Sequence, residues 1–468
     1  MQVTKKLQPQ AFFYWFEAIS RIPHGSGKEQ KLAAWLAEFA DARSIPCETD
    51  EAGNVFMTLP ASRGYENEPP ILLQAHMDMV WKKDDGVRFH FEKDAIRLRI
   101  EGDHLTADGT TLGADNAVGM ATMLALADDP AIPHPPLELL FTVEEETGLH
   151  GARKFDKSRI RARRMLNMDC GYTDVLCVSS AGKISGAIDR TFAVSPCSGA
   201  TELAVTGGFS VHLAHIAKAE HACVNNIVGA LLRDMACRLV SLTAPTHNSL
   251  AAVTAVVCGA DRAELRRRMT QMQEKYRATN PELALTLSDA PDGDALSEQD
   301  TQLIAAALCT VRGGNYSPTP DRITTSGALR GLKLEGGVFH ATVMARSLSD
   351  PDAERVFAAW RRELREYGFE LRETDRYPAW PERDISPLRG KFERAHKRLL
   401  GTDVTYSRAM GGTDAGVIVG AIPDMDTVGY APSSYGAHTT AEHLEISQVQ
   451  PFWDVLLAVL AEKEGELA

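Results

Sequence analysis

Residues 71–78 read ILLQAHMD, an unbroken Ile-Leu-Leu run that leads to a histidine and, two residues later, an aspartate. Bounded by Pro70 ahead and polar residues behind, residues 71–75 predict a buried strand whose carboxyl end opens into a cleft. His76 and Asp78 then stand at that strand end. Residues two apart in an extended segment point to the same side, so the Asp78 carboxylate can lie beside the imidazole of His76. A carboxylate so placed can fix the tautomer of a metal-bound histidine by accepting its other N–H. The plainer alternative is a solvated histidine and aspartate at a strand end, and this short motif alone does not separate the two.

Outward from this run the same pattern repeats. Residues 54–59, 137–143 and 164–168 read as strands, and Val118, Ala121, Thr122 and Ala125 put an apolar face on a helix opening at Asp115. Ser26 with Glu29 has the spacing of a capping box, followed by Leu32, Trp35, Leu36 and Phe39 on one helical face. Strands alternating with helices predict an α/β layer with a mainly parallel sheet, and residues at the carboxyl ends of its strands share one crevice.

From about Gly182 the acid-rich motifs stop and a plainer alternation begins. Strands are expected at 201–206, 252–258, 283–287, 337–344 and 369–372. Helices are expected around Val228 to Leu239, Leu265 to Tyr276, 303–311 and Val356 to Tyr367. Two such rounds predict a sheet with helices on one face. Pro378, Pro381 and Pro387 mark a crossing back, and Ser386 with Pro387 supplies an N-cap and first-turn proline for a helix carrying Leu388, Phe392, Ala395 and Leu399. A strand at 425–429 then leads toward His438, and a last helix carries Val449, Phe452, Trp453, Leu456 and Leu460.

A chain of 468 residues is too long for one core. With 50 basic and 63 acidic residues the net charge is −13, which argues against nucleic acid or an anionic membrane as the main partner. No apolar stretch approaches the ~18 residues of a membrane span, and MQVTKKLQPQ lacks a signal-peptide core. The 8 cysteines are scattered singly, without the spacing of a disulfide framework or a thiolate zinc site. A cytoplasmic, reduced protein is the expectation.

Acids and histidines recur beside the apolar runs: Asp115 in LTADGTTLGADNAVGMA, Glu145 and Glu146 in LLFTVEEETGLHGA, Asp169 in MLNMDCG, and His438 in YGAHTTAEH. Singly, Asp115 reads equally as a helix N-cap, the glutamate run as an acidic turn, and His438 as a loop histidine. Taken in order, these stretches resemble the metallopeptidase family of the aminoacylase, carboxypeptidase G2 and dipeptidase type, family M20. Within it they are most similar to the aminoacyl-histidine dipeptidases, or peptidase D. The resemblance runs from Leu7 to about Leu460 and is strongest at residues 71–169.

The resemblance implies a discontinuous zinc-peptidase catalytic domain at residues 1–182 and 379–468, a mixed, mainly parallel sheet flanked by helices. Residues 183–378 would be an inserted α+β lid of two ferredoxin-like halves. It also implies His76, Asp115 and Asp169 on one metal and Asp115, Glu146 and His438 on the other, with Asp115 bridging. Asp78 orients His76, and Glu145 is the general acid/base. The cofactors would be two divalent ions, Zn2+ first, with Co2+ or Mn2+ as alternatives, since imidazole and carboxylate sites accept all three. Such a pair holds a hydroxide between the ions and polarises the scissile carbonyl of a dipeptide, of Xaa-His type. Glu144 makes a run of three glutamates, and the following Thr147-Gly148 sets the register.

For substrate, Arg346 in MARSLS matches the family position that grips a terminal carboxylate, a task suited to the guanidinium fork. Gly412 in Gly411-Gly412-Thr413-Asp414 matches a glycine turn near substrate, although peptidase D usually reads HAGLE there. Gly207-Gly208-Phe209-Ser210 departs further, because the family histidine that stabilises the oxyanion is replaced by Phe209. His212, His215 and His221 are the candidate substitutes, and His215 matches the family's second histidine. A related amidohydrolase acting on N-acyl amino acids or other small amides, and a weakly active metal- and peptide-binding homologue, are the alternatives. A homodimer acting on small peptides, with neither nucleic acid nor membrane as partner, completes the expectation.

Overall fold

In a computed structural model the structure describes residues 3–208, 221–244, 251–319 and 322–465. The chain divides into two compact units, the first formed by Met1–Ser180, Trp380–Ala409 and Thr413–Ala468, the second by Ala181–Ala379 and Met410–Gly412.

The first unit is built on an eight-stranded sheet in the order Cys47–Thr49, Val55–Leu59, Leu137–Thr142, Ile71–His76, Arg164–Asn167, Asp426–Gly429, Val175–Ser180, Thr405–Ala409. Its centre is parallel: Ile71–His76 runs between Leu137–Thr142 and Arg164–Asn167, and Asp426–Gly429 follows in the same direction. The run from Ile71 to His76 is buried throughout because both faces of the sheet are covered. Ile71, Leu73 and Ala75 pack into the core that also holds Phe12, Phe16, Val118, Leu124 and Leu456, while Leu72 packs on the other face with Leu140, Met165 and Ile418. Helix Ala114–Asp128 can lie close on this sheet because Gly119 has no side chain. A Cβ there would sit 2.8 Å from the Cβ atoms of both Ala75 and Met168. A separate four-stranded sheet, in the order Ser434–Tyr435, His443–Glu445, His104–Ala107, Leu98–Glu101, ties the segment around His438 to the loop that precedes Asp115.

The second unit holds a nine-stranded, antiparallel sheet and the helices Val224–Leu232, Arg262–Tyr276, Glu298–Thr310 and Asp350–Glu366. Its halves meet edge to edge where Arg238–Thr243 pairs with Thr325–Glu335 through Leu242 opposite Leu334 and Thr243 opposite Lys333. Helix Asp350–Glu366 presents Val356, Phe357, Trp360 and Leu364 to the same core that buries Phe339 and Val343 of the sheet.

Several expectations shift. The helix expected through Leu239 ends at Leu232; Asp234 turns the chain with φ 56°, and Leu239 belongs to the strand Arg238–Thr243. The capping box of Ser26 and Glu29 does not form at helix Gln30–Asp41. Instead the Ser26 hydroxyl donates to Asp78 at 2.7 Å, and Glu29 accepts from the backbone N–H groups of Gly27 and Glu144, each at 3.0 Å. Both residues serve the neighbourhood of the strand ends instead of the helix. The Ser386 cap does form, accepting from the N–H of Arg389 at helix Pro387–Leu400. The expectation of unpaired cysteines also needs correcting, since Cys197 and Cys258 form a disulfide across 61 residues. Pairing of Thr201 with Val257 brings the two cysteines together, and no sequence spacing displays that.

Candidate active site

The strand ends deliver the ligand-type side chains to one place. His76 is 1% exposed, with Nε2 2.9 Å from Oδ1 of Asp115 and 3.3 Å from Oδ1 of Asp169. Oδ2 of Asp115 lies 3.3 Å from Nε2 of His438, whose other neighbour is Oε1 of Glu146 at 2.5 Å. Asp115 thus turns one oxygen to each imidazole. One set of donor atoms from His76, Asp115 and Glu146 lies within 4.8 Å.

Local backbone explains these directions. Asp115 has φ −82° and ψ 100°, so its carboxylate is not committed to the first helical turn, and Asn116 caps in its place by accepting from the N–H of Gly119. Glu144 and His438 adopt φ 50° and 65°, a left-handed backbone that costs about 1 kcal/mol or more in a non-glycine residue and tends to collect at functional sites. Of the glutamate run, Glu146 faces His438, Glu145 is half-buried, and the Glu144 carboxylate passes 3.8 Å from the position of a Cβ on Gly27.

Asp78 holds the site from behind. Nδ1 of His76 lies 2.9 Å from the backbone carbonyl of Asp78 and 3.4 Å from its carboxylate. The main-chain carbonyl therefore makes the closer contact that the sequence had suggested for the side chain. The carboxylate instead accepts from Ser26 and from the N–H groups of Glu145 at 2.9 Å and Glu146 at 3.3 Å, which fixes the glutamate turn.

Charge follows from this crowding. Burial alone would lower the pKa of His76, but hydrogen bonds to Asp115 and Asp169 outweigh it and raise it well above 6.5. His438 is raised to about 10 by hydrogen bonds to Asp115 and Glu146. Burial would raise Asp115, but those imidazoles hold it below the usual carboxylate range. Burial raises Glu146 and Asp169, and it raises Glu145 well above 4.5, reinforced by the charge on Asp169.

Acids outnumber imidazoles here even with both histidines protonated, and oxygen and imidazole donors converge. That donor set fits divalent cations, with His76, Asp115 and Asp169 available to one and Asp115, Glu146 and His438 to another. Cation uptake must displace the imidazolium protons, so loading near neutral pH is expected to release protons and to weaken as pH falls. Calorimetric titration in buffers of different ionisation enthalpy reads this directly; buffer-independent heats would contradict it. In the metal-free protein the sign is opposite. The stabilisation from His438 is complete below about 6.5 and disappears as pH rises through about 10.

Several residues escaped the sequence reading. Gln74, Thr142, Asn167 and Asp414 form a buried belt beneath the site, with Gln74 donating to Asp414 at 3.0 Å and Asn167 donating to Gln74 at 2.6 Å. Burial pushes Asp414 up to about 7. Their signal was available, since a polar residue inside an otherwise apolar strand needs a partner. Glu442, four residues after His438, was missed as well.

In the second unit, Nη1 of Arg346 accompanies the Tyr377 hydroxyl at 3.1 Å as donor, and the Arg346 Nε is buried without a hydrogen-bond partner among the described residues. Gly412 packs on the same tyrosine, where a Cβ would meet the ring at 2.3 Å. Tyr377 therefore gathers both expected substrate residues. His215, with Phe209 and His212, lies outside the described residues.

Comparison with known proteins follows the same lines. The profile of "Peptidase family M20/M25/M40" matches residues 72–462. The chain is 28% identical to the cytosol non-specific dipeptidase of Escherichia coli, with 99% of each chain covered. A Peptidase T from Exiguobacterium is 34% identical over 26% of this chain and 36% of its own. Among solved structures, aminoacylhistidine dipeptidase from Vibrio alginolyticus superposes with a TM-score of 0.85 at 25% identity, covering 97% of each chain. Aminopeptidase PepT from Bacillus cereus shares the fold with a TM-score of 0.62 at 17% identity, covering 97% of this chain and 98% of its own.

Proposed function

The chain belongs to peptidase family M20/M25/M40 and is a metallopeptidase of the dipeptidase kind, and from that premise we propose that it hydrolyses dipeptides, those of Xaa-His type foremost. The observation that carries the reading is Asp115, whose two oxygens each face a different imidazole, 2.9 Å from His76 and 3.3 Å from His438. A carboxylate shared in this way suits a pair of cations. His76, Asp115, Glu146, Asp169 and His438 would hold two divalent ions, Zn2+ as the first choice and Co2+ or Mn2+ as alternatives. When bound, such ions supply a Lewis acid for the scissile carbonyl and lower the pKa of water.

The chain's own residues do the remaining work. Asp78 orients His76 and anchors the glutamate turn. Glu145 takes the proton from the attacking water and returns it to the leaving amine. A carboxyl held above its ordinary range suits both halves of that transfer, and burial raises this one. Arg346 grips the substrate's terminal carboxylate, with Gly412 leaving room beside Tyr377 and His215 as a further substrate contact. The inserted unit acts as a lid that excludes water and limits substrate length.

Xaa-His preference is supported by the aminoacylhistidine dipeptidase likeness, while the Escherichia coli relative is named non-specific. The chain has no helix long and apolar enough to cross a membrane among its described residues. A cytoplasmic location agrees with the name of the Escherichia coli relative, and a homodimer with the family resemblance.

Amine release from Ala-His, β-Ala-His, Gly-Gly and an N-acetyl amino acid, with metal restored and with chelator as control, tests the proposal. Chelator-sensitive cleavage confined to histidine dipeptides is expected. Cleavage of Gly-Gly at a similar rate would remove the Xaa-His preference, and cleavage of the acetylated compound alone would remove the dipeptidase reading.

A further inference from the structure

Glu442 is buried, 2% exposed, and its carboxylate oxygens accept from backbone N–H groups. Oε2 accepts from the N–H groups of Leu112 at 2.8 Å and Gly113 at 2.9 Å, and Oε1 accepts from the N–H of Asp115 at 3.1 Å. No side-chain cap satisfies the start of helix Ala114–Asp128 at Gly113, so Glu442 meets donors that the turn leaves open. Its own segment is pinned by the Thr106 hydroxyl, which donates to the Glu442 carbonyl at 3.1 Å, and by His443 pairing opposite Thr106.

We infer that Glu442 is the positioning residue of the centre, tying the turn that presents Asp115 to the loop that presents His438. The inference rests on the two-cation reading above. His76 and Asp169 stand at or just beyond the ends of strands held by the central sheet, so they keep their places without Glu442. Asp115 and His438 come from loops that this carboxylate joins. The cation position shared by Asp115, Glu146 and His438 therefore depends on Glu442 more than the position shared by His76, Asp115 and Asp169. Removing outer-shell partners of metal ligands typically costs ~10-fold to 100-fold in affinity.

Glu442→Gln is the informative change because it preserves size. An amide offers only one acceptor oxygen. If that oxygen keeps the paired donors of Leu112 and Gly113, the amide NH2 faces the N–H of Asp115, two donors without an acceptor. Glu442→Asp, which keeps the charge but withdraws it by one methylene, is the second variant should the amide fail to fold.

The test is Zn2+ titration of chelator-stripped protein by calorimetry, with metal content per chain and thermal unfolding measured on the same samples. Wild type is expected to take up two ions. The folded variant is expected to lose little affinity for one ion and to bind the other about tenfold or more weakly, with kcat recovering as free Zn2+ is raised. Wild-type affinities for both ions in the variants would overturn the assignment, as would equal weakening of both. A wild-type protein that takes up no ion would overturn the two-cation reading together with it.

Discussion

Replacing Glu145 with alanine is expected to leave metal content and substrate affinity near wild type while kcat falls by about a hundredfold to ten-thousandfold, the usual share of a positioned general acid or base. Among the described residues no side-chain hydrogen bond joins Glu145 to the ligand residues, and the neighbouring Glu146 is the one that meets His438. Its peptide N–H, which donates to Asp78, survives the change. The alanine variant thus removes a proton carrier and little of the scaffold. Kinetics with metal restored, alongside metal analysis, decide the matter. Unchanged kcat would exclude Glu145 from proton transfer, and lost metal would make it a ligand instead.

Asp115→Ala should have the other large effect, and of a different kind. The carboxylate lies between His76 and His438, so its removal takes a donor from both cation positions at once. Both ions should bind too weakly to survive dialysis, and turnover should fall to background. A ligand that binds only the folded state stabilises it by about 2.7 kcal/mol at a concentration of 100 Kd. Zn2+ should therefore raise the melting temperature of wild type and leave that of the variant almost unmoved. The metal-free variant should itself melt lower than metal-free wild type, because it loses the carboxylate that pairs with both imidazoles, so the Zn2+ shift is read within each protein. A variant that keeps both ions and the thermal shift would remove Asp115 from the bridging position.

Much of the first unit's layout is legible locally. The apolar Ile71-Leu72-Leu73 run signals a strand covered on both faces, and Ser386-Pro387 signals the start of helix Pro387–Leu400. Local signals misled where two structures share one periodicity. Leu239 continues a helical spacing yet sits in a strand, and Ser26 with Glu29 matches a cap yet bonds to Asp78 and to the glutamate turn. In both cases the tertiary partner outweighed the local preference, since a buried donor left open costs more than a forgone cap.

Residue chemistry and the succession of strands along the chain could be read without a structure: acids and histidines at the ends of apolar runs, and a plainer alternating segment between the two parts that carry them. Those features are local, written in hydrophobic period and in neighbours along the chain. Which oxygen meets which nitrogen was decided only on folding. His438 and Glu146 are 292 positions apart, and Glu442 and Asp115 are 327 apart. The same holds for the Cys197–Cys258 bond and for Tyr377 beneath Arg346 and Gly412. Contacts of this kind depend on sheet register and on how closely a helix can approach at Gly119. Both are set by packing among distant segments, which no stretch of sequence contains by itself.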